Sequence, residues 1–289
     1  MELRPGSLFA NLLTIGNGIC GFAALVELSK IEPATAENLL SNTNHLVVAG
    51  YLVLLGMLFD AFDGKVARMV KGSTELGAQL DSLCDLITFG LVPAFMIVQM
   101  NLGGSPRWVN IVWFFSLAYF LGALLRLARF NVESAPDDDA HLCFKGLPSP
   151  AAAGCVASLV IFQGYVRKAA QAEFKWLSEP ALENMQVFVS SITEFLPFLA
   201  LLLGFTMVSS RLKFEHIGSR IFGLTHSWEF FISLIFAGVL LAVVPEVFLP
   251  LAFVGYLVWT PVKFLFRLVF FGRRKYAEDE EEAKVLQRS

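Results

Sequence analysis

The chain has 289 residues, of which 56% are hydrophobic and 16% charged, with 28 phenylalanines, and its mean hydropathy is +0.63. An ordinary soluble domain is about 25% charged, so too few charges are present to coat a water-facing surface. A secreted disulfide scaffold, a disordered chain and a typical soluble α/β enzyme are excluded, and a net charge of −3 offers no basic field for nucleic acid.

A bilayer-spanning helix needs about 20 mostly apolar residues. Eight stretches qualify, at 9–28, 45–62, 78–100, 108–130, 148–165, 186–208, 228–244 and 247–270. The expected fold is therefore an all-α, polytopic membrane bundle of about eight transmembrane helices. The first stretch follows Arg4 and lacks a small-residue cleavage site, so it reads as a retained span. A mildly acidic loop follows at 29–44, and the 131–147 loop carries Asp137, Asp138 and Asp139. The 166–185 segment is amphipathic and reads as an interfacial helix. A short turn around Pro245 and Glu246 separates the last two spans. Residues 1–271 form one membrane unit without internal repeat, and 272–289 (GRRKYAEDEEEAKVLQRS) read as a charged, disordered tail. Cys20, Cys84, Cys143 and Cys155 form no CxxC pair and read as small buried hydrophobes. The histidines, His45, His141, His216 and His226, lack metal-site spacing.

Orientation follows from lysine and arginine placement. With the N-terminus inside, alternation through eight spans puts seventeen of the 22 basic residues in the cytosol. Only Lys30, Arg107, Arg167, Lys168 and Lys175 fall outside. The expected topology is N-in and C-in, with the 63–77 connection cytosolic.

Carboxylates interrupt the second and third spans. Asp60 and Asp63 close one, and Asp81 and Asp85 open the other. Acidic groups at membrane depth are costly and mark function by default. Asp60, Asp63 and Ala67 are spaced i, i+3, i+7, and Gly77, Asp81 and Asp85 are spaced i, i+4, i+8, so each set forms one helical stripe. Two antiparallel helices can turn these stripes toward each other, and four converging carboxylates then repel unless cations intervene. Oxygen-only ligands suit hard divalent ions, and two-metal sites commonly serve displacement at phosphorus. Gly64, Ala67 and Gly77 leave room for a ligand, and Arg68 offers a fork for phosphate oxygens. Carboxylates that merely cap helix ends would not need these small residues in register, and neither would a cation transporter.

The complete pattern is Asp60-x-x-Asp63-Gly64-x-x-Ala67-Arg68, eight residues, then Gly77-x-x-x-Asp81-x-x-x-Asp85. It resembles the signature of the CDP-alcohol phosphatidyltransferases at every defining position. The resemblance implies a six-helix catalytic core and two divalent cations, Mg²⁺ or Mn²⁺, held by Asp60, Asp63, Asp81 and Asp85. It implies that Asp85 also serves as the base for the attacking alcohol, and that Gly64, Ala67, Arg68, Thr74 and Gly77 line the CDP site. It further implies a homodimer. NLLTIGNGICGF at 11–22, LDSLCDLITFGLVPA at 80–94, RLARFN at 126–131, FKGLPSPAAAG at 144–154 and MVSSRLKF at 207–214 are similar to bacterial and archaeal phosphatidylserine synthases. CDP-diacylglycerol and L-serine are then the expected substrates, with direct attack by the serine hydroxyl. Ala10 and Ser149 depart from that pattern and are expected to stand clear of the carboxylates.

Serine carries a carboxylate that needs a cation. Arg126 and Arg129 end the fourth span, Lys145 follows in the loop and Arg211 ends the sixth. These are the candidate serine contacts, although each also suits an interfacial anchor. Glycerol phosphate or inositol phosphate acceptors would want cations too, and an archaeal ether-lipid donor is equally compatible. Phe114, Phe115, Tyr119 and Phe120 read as packing and lipid-facing surface, and Pro93 and Pro197 as helix kinks.

Overall fold

The computed structural model describes residues 5–33, 35, 37–70, 75–133, 143–171, 179–209, 213–215, 228–259 and 262–263. The described chain is helical apart from one small ladder. In order run α1 (Pro5–Ser29), α2 (Leu39–Val70), α3 (Glu75–Asp85), a π-helical turn (Leu86–Leu91), α4 (Val92–Met100) and α5 (Pro106–Glu133). Then come β1 (Cys143–Lys145), α6 (Ser149–Gln171), α7 (Glu179–Val208), β2 (Lys213–Glu215) and α8 (Trp228–Val243), followed by α9 (Pro245–Trp259).

Six segments are long and apolar enough to cross a membrane: Leu8–Ser29, Leu39–Val66, Leu76–Met100, Pro106–Val132, Ser149–Ala170 and Val187–Val208. They correspond to the first six expected spans. The last two expected spans appear, within the described residues, as the shorter helices α8 and α9. Many outward side chains are large and apolar, among them Phe22, Phe62, Phe114, Leu202 and Phe205. A surface of that kind faces lipid, not water.

Local sequence explains the main boundaries. Before α2, Thr35 and Asn38 cap reciprocally, the Thr35 amide donating to Asn38 Oδ1 at 2.7 Å and the Asn38 amide to Thr35 Oγ1 at 3.3 Å. Asn42 then ties the preceding loop by donating to the Glu32 carbonyl at 2.8 Å. The 32 residues of α2 extend about 48 Å at 1.5 Å per residue, well beyond a hydrocarbon core of about 30 Å. The helix therefore does not stop at the carboxylates. It continues past Asp63 to Val70.

The third span is continuous but not uniform. Pro93 has no amide proton for the Phe89 carbonyl four residues earlier. The Val92 amide bonds back to Ile87 in the wide π spacing, and the Tyr119 hydroxyl donates to the Phe89 carbonyl at 3.0 Å. Tyr119, expected as packing surface, is thus fully buried and supplies a missing backbone partner. The 166–185 segment, expected as one interfacial helix, is divided between the ends of α6 and α7, with 172–178 outside the described residues. Val166 and Ala169 continue the buried face of α6, which prolongs that helix.

The core lies around α4 and α6, where Phe89, Met96, Ile97, Ala153, Val156 and Leu203 are among the fully or nearly fully buried groups. Glycines permit close crossings. A Cβ on Gly122 would stand 2.6 Å from the Gly204 carbonyl oxygen, and one on Gly204 would stand 2.7 Å from that of Ala118. This is the small-residue packing by which membrane helices approach closely. Cys20, Cys84 and Cys155 are free and buried, as expected.

The ladder joins two loops at the foot of the bundle. Cys143 pairs with Glu215, Phe144 with Phe214 and Lys145 with Lys213, antiparallel. Gly146 follows with φ +89°, a left-handed conformation that favours glycine, and the Leu147 amide bonds the Thr206 carbonyl at 3.1 Å. This turn fixes where α6 begins and so places Ser149. The 272–289 tail and the Asp137–Asp139 run lie outside the described residues.

Candidate active site

The two stripes meet as their spacing predicts. Carboxylate oxygens of Asp60, Asp63 and Asp81 lie within 4.8 Å of one another. Asp85 stands one helical turn beyond Asp81, is 8% exposed, and lies within the electrostatic reach of all three. At an effective dielectric near 20, two unit charges about 5 Å apart repel by roughly 3 kcal/mol. The cluster stores that repulsion several times over.

The first helix holds two of these groups in place. Thr14 Oγ1 donates to Asp63 Oδ2 at 2.7 Å, with the Ala10 carbonyl 3.1 Å away. Asn17 Nδ2 donates to Asp85 Oδ1 at 2.9 Å. Thr88, on the π-helical turn, donates to the Asn17 carbonyl at 3.0 Å and keeps α1 in register with the third span. The crossing is tight: a Cβ on Gly56 would stand 2.9 Å from Asn17 Oδ1 and 2.7 Å from Thr88 Cγ2. Thr14, Asn17 and Thr88 were not among the expected site residues. Their signal was polarity at i, i+3 within an apolar span, which gains meaning only once the carboxylates opposite are known.

The cluster fits a divalent cation. All of its donors are oxygens, the ligand preference of hard ions, and Asp81 Oδ1 is buried without a hydrogen-bond partner. An unpaired buried carboxylate oxygen costs free energy, and a bound ion removes that cost. Beside the cluster, a Cβ on Gly64 would meet nothing within 4 Å, so the backbone there borders open space. Gly77 lies on α3 above Asp81. Ala67 and Arg68 belong to the last turns of α2, but their side chains lie outside the described residues, as does all of Thr74.

The cationic candidates separate into different roles. Arg126 NH1 donates to Ser149 Oγ at 2.9 Å, and its guanidinium lies within electrostatic reach of Asp85 and Asp60. Among the described residues, Ser149 makes no hydrogen bond to the carboxylates themselves but borders the site through Arg126. Ala10 approaches it in the same way, through Thr14. Arg129 NH1 donates to the Val208 carbonyl at 3.1 Å, which ties the foot of α5 to that of α7. At the same end of α5, Ser82 of α3 donates to Asn131 Oδ1 at 3.0 Å. Lys145 lies on β1 with its side chain outside the described residues, and Arg211 lies wholly outside them.

Comparison with known proteins agrees with this arrangement. The profile of the CDP-alcohol phosphatidyltransferase family matches residues 7–211. The CDP-diacylglycerol–serine O-phosphatidyltransferase of Helicobacter pylori (strain ATCC 700392 / 26695) is 30% identical over 288 residues, covering 96% of this chain and 100% of the relative. The Bacillus subtilis protein of the same name is 32% identical over 148 residues, covering 51% of this chain and 72% of the relative. The Saccharomyces cerevisiae one is 37% identical over 147 residues, and that match spans 49% of each chain. The matched stretch includes both carboxylate stripes and the helix that holds them, so the chain belongs to the CDP-alcohol phosphatidyltransferase family and is a transferase.

Proposed function

We propose that the protein transfers the phosphatidyl group of CDP-diacylglycerol to the hydroxyl of L-serine, releasing CMP and phosphatidylserine. The observation that carries this reading is the end-to-end likeness to the Helicobacter pylori enzyme, joined to the carboxylate cluster. In the transfer, the serine oxygen forms a bond to the β-phosphorus, the one bearing diacylglycerol. The bond from that phosphorus to the CMP oxygen breaks, and the serine proton passes to a carboxylate.

Asp60, Asp63 and Asp81, with Asp85 beside them, are the residues to hold two divalent cations, Mg²⁺ or Mn²⁺. When bound, the cations neutralise the diphosphate and stabilise the charge left on CMP. Gly64, Ala67, Arg68, Thr74 and Gly77 form the cytidine-diphosphate side, with Gly64 letting the nucleotide lie against the backbone. Asp85 takes the serine proton, and its position is held by Asn17. Arg126 receives the serine carboxylate as a planar, bidentate donor. Arg129 acts first as a tie between helices, and Lys145 and Arg211 supply positive charge at the cytosolic face. Direct attack needs no covalent enzyme intermediate, so proximity and orientation supply much of the rate.

The test is acceptor-dependent CMP release by purified protein in detergent or lipid. Serine should support turnover, and glycerol 3-phosphate and inositol phosphate should not. Release driven by either phosphate acceptor and not by serine would overturn the serine assignment and leave the family chemistry intact. Comparing diacyl with ether-lipid donors in the same assay settles the chain type accepted.

The active site is proposed to face the cytosol, with both termini inside, on the strength of the lysine and arginine bias. A cysteine introduced at Ser73 should resist impermeant thiol reagents in intact cells, and one at Ser41, which is exposed, should react. The reverse pattern would invert the topology. Assembly as a homodimer is proposed from the family resemblance and is measurable by mass in detergent.

A further inference from the structure

The polar face of α1 is brought to the carboxylates by packing that does not involve them. A Cβ on Gly18 would stand 2.8 Å from Cys84 Sγ, one on Gly16 would stand 3.3 Å from the Phe59 ring, and one on Gly21 would run into the Thr88 hydroxyl. These close approaches set α1 against both α2 and the third span. Thr14 is thereby held 2.7 Å from Asp63 Oδ2. Both residues are 4% exposed. Asp63 is the buried member of the triad, whereas Asp60 and Asp81 are half-buried.

The Thr14 hydroxyl carries one proton, and two acceptors lie within its reach. Asp63 Oδ2 is at 2.7 Å and the Ala10 carbonyl at 3.1 Å. The carboxylate is the nearer acceptor and the charged one, and a charge-assisted hydrogen bond is roughly twice as strong as a neutral one. Asp63 therefore takes the proton, and the bond back along α1 is the one forgone. One oxygen of Asp63 is then occupied, its carboxylate is fixed in rotation, and the other oxygen is left for a cation.

We infer that Thr14 is a positioning residue for Asp63, and that α1 thereby sets the affinity of the carboxylate triad for divalent cations. Ligating carboxylates are themselves hydrogen-bonded, and removing such an outer partner typically costs 10–100-fold in metal affinity or activity. Without the hydroxyl, Asp63 Oδ2 loses its donor in a buried place, and the carboxylate is free to turn. A cation would then have to order its ligand as it binds. One turn of α1 thus serves both ends of the cluster, Thr14 on Asp63 and Asn17 on Asp85.

This inference rests on the reading that the triad holds cations, and the experiment separates the two. Mn²⁺ binding to the purified full chain, without substrates, is read from the electron paramagnetic resonance signal of the free ion. Thr14→Val keeps the branched shape and removes the hydroxyl. It should raise the Mn²⁺ Kd by about tenfold, the lower end of the range for such partners. Thr14→Ala, the second hydroxyl-free variant, should do the same and gives the reading if valine is not accommodated. Thr14→Ser restores the same donor and should stay within about twofold of the wild type. In turnover, the Mn²⁺ concentration for half-maximal rate should rise in step with Kd, and the serine KM should not move. A merely structural tie between α1 and α2 would lower the melting temperature in chelator and leave the Mn²⁺ Kd where it was.

A wild type that binds no Mn²⁺ overturns the metal reading itself. Binding by the wild type with an unchanged Kd in the hydroxyl-free variants overturns the role of Thr14 alone. A Kd raised as much in Thr14→Ser as in Thr14→Val overturns it as well, since the hydroxyl would not be the cause.

Discussion

Asp81→Asn and Asp60→Asn are expected to lose turnover by more than about 10²-fold, since partners that merely orient a metal ligand already cost 10–100-fold when removed. A more discriminating result concerns stability, where the expected sign depends on the metal. Oxygens of Asp60, Asp63 and Asp81 converge within 4.8 Å. Without cations this cluster opposes folding through mutual repulsion, roughly 3 kcal/mol for each pair about 5 Å apart at an effective dielectric near 20. Removing one charge relieves part of it, so in chelator each variant should melt at or above the wild-type temperature. With Mg²⁺ or Mn²⁺ the order should invert. The wild type gains RT ln(1 + [L]/Kd), about 2.7 kcal/mol at a hundredfold excess over Kd, and the variants gain much less. Thermal unfolding of the wild type and the two variants, with and without metal, gives six melting temperatures that decide the matter. A loss of stability equal in chelator and in metal would mean that the carboxylates serve the fold and hold no ion. Full turnover of the wild type in chelator would remove the cations from the reaction.

The carboxylate cluster was legible because its determinants are local. Asp60 and Asp63 share a helix, Asp81 and Asp85 share the next, and a short connection forces the helices to run antiparallel. The i+3 and i+4 spacings then leave little freedom in how the stripes face. The groups that hold the carboxylates were not legible for the opposite reason. Asn17 meets Asp85 across 68 positions and Thr14 meets Asp63 across 49. In the sequence, each is only a polar residue in an apolar span. Ser149 read as a neutral departure because nothing local says that Arg126, 23 positions earlier, will turn toward it. The role of Tyr119 depended on the missing proton of Pro93. A proline in a helix announces an orphaned carbonyl, but not which side chain will answer it. Helix ends were harder still. The second span extends beyond its apolar run because charged residues of α2 remain helical where hydropathy falls. The 166–185 segment divides because the buried face of α6 persists past the point where the sequence turns polar.

Asp85→Asn should lower kcat by at least two decades and leave donor binding nearly intact. General-base assistance is typically worth 10²–10⁴-fold, roughly 3–5 kcal/mol in barrier at 1.36 kcal/mol per decade. The geometry favours that division of labour. Asp60, Asp63 and Asp81 form the compact triad, and Asp85 stands one turn deeper, with one oxygen engaged by Asn17 at 2.9 Å. The triad can retain the donor without Asp85. The substitution is also gentle for the fold, because an asparagine at 85 can still accept the Asn17 hydrogen bond through its amide oxygen. What the asparagine cannot do is take a proton. The expected signature is therefore a near-normal KM for CDP-diacylglycerol, metal-dependent stabilisation reduced but retained through the triad, and a collapsed kcat. Asn17→Ala supplies the companion measurement: Asp85 keeps its basicity but loses its tether, so kcat should fall by less than in Asp85→Asn. A near-normal kcat in Asp85→Asn, with donor or metal affinity lost instead, would make Asp85 a fourth ligand and no base. The serine proton would then have to leave by another group at the same cluster, and the order of effects between Asp81→Asn and Asp85→Asn would identify it.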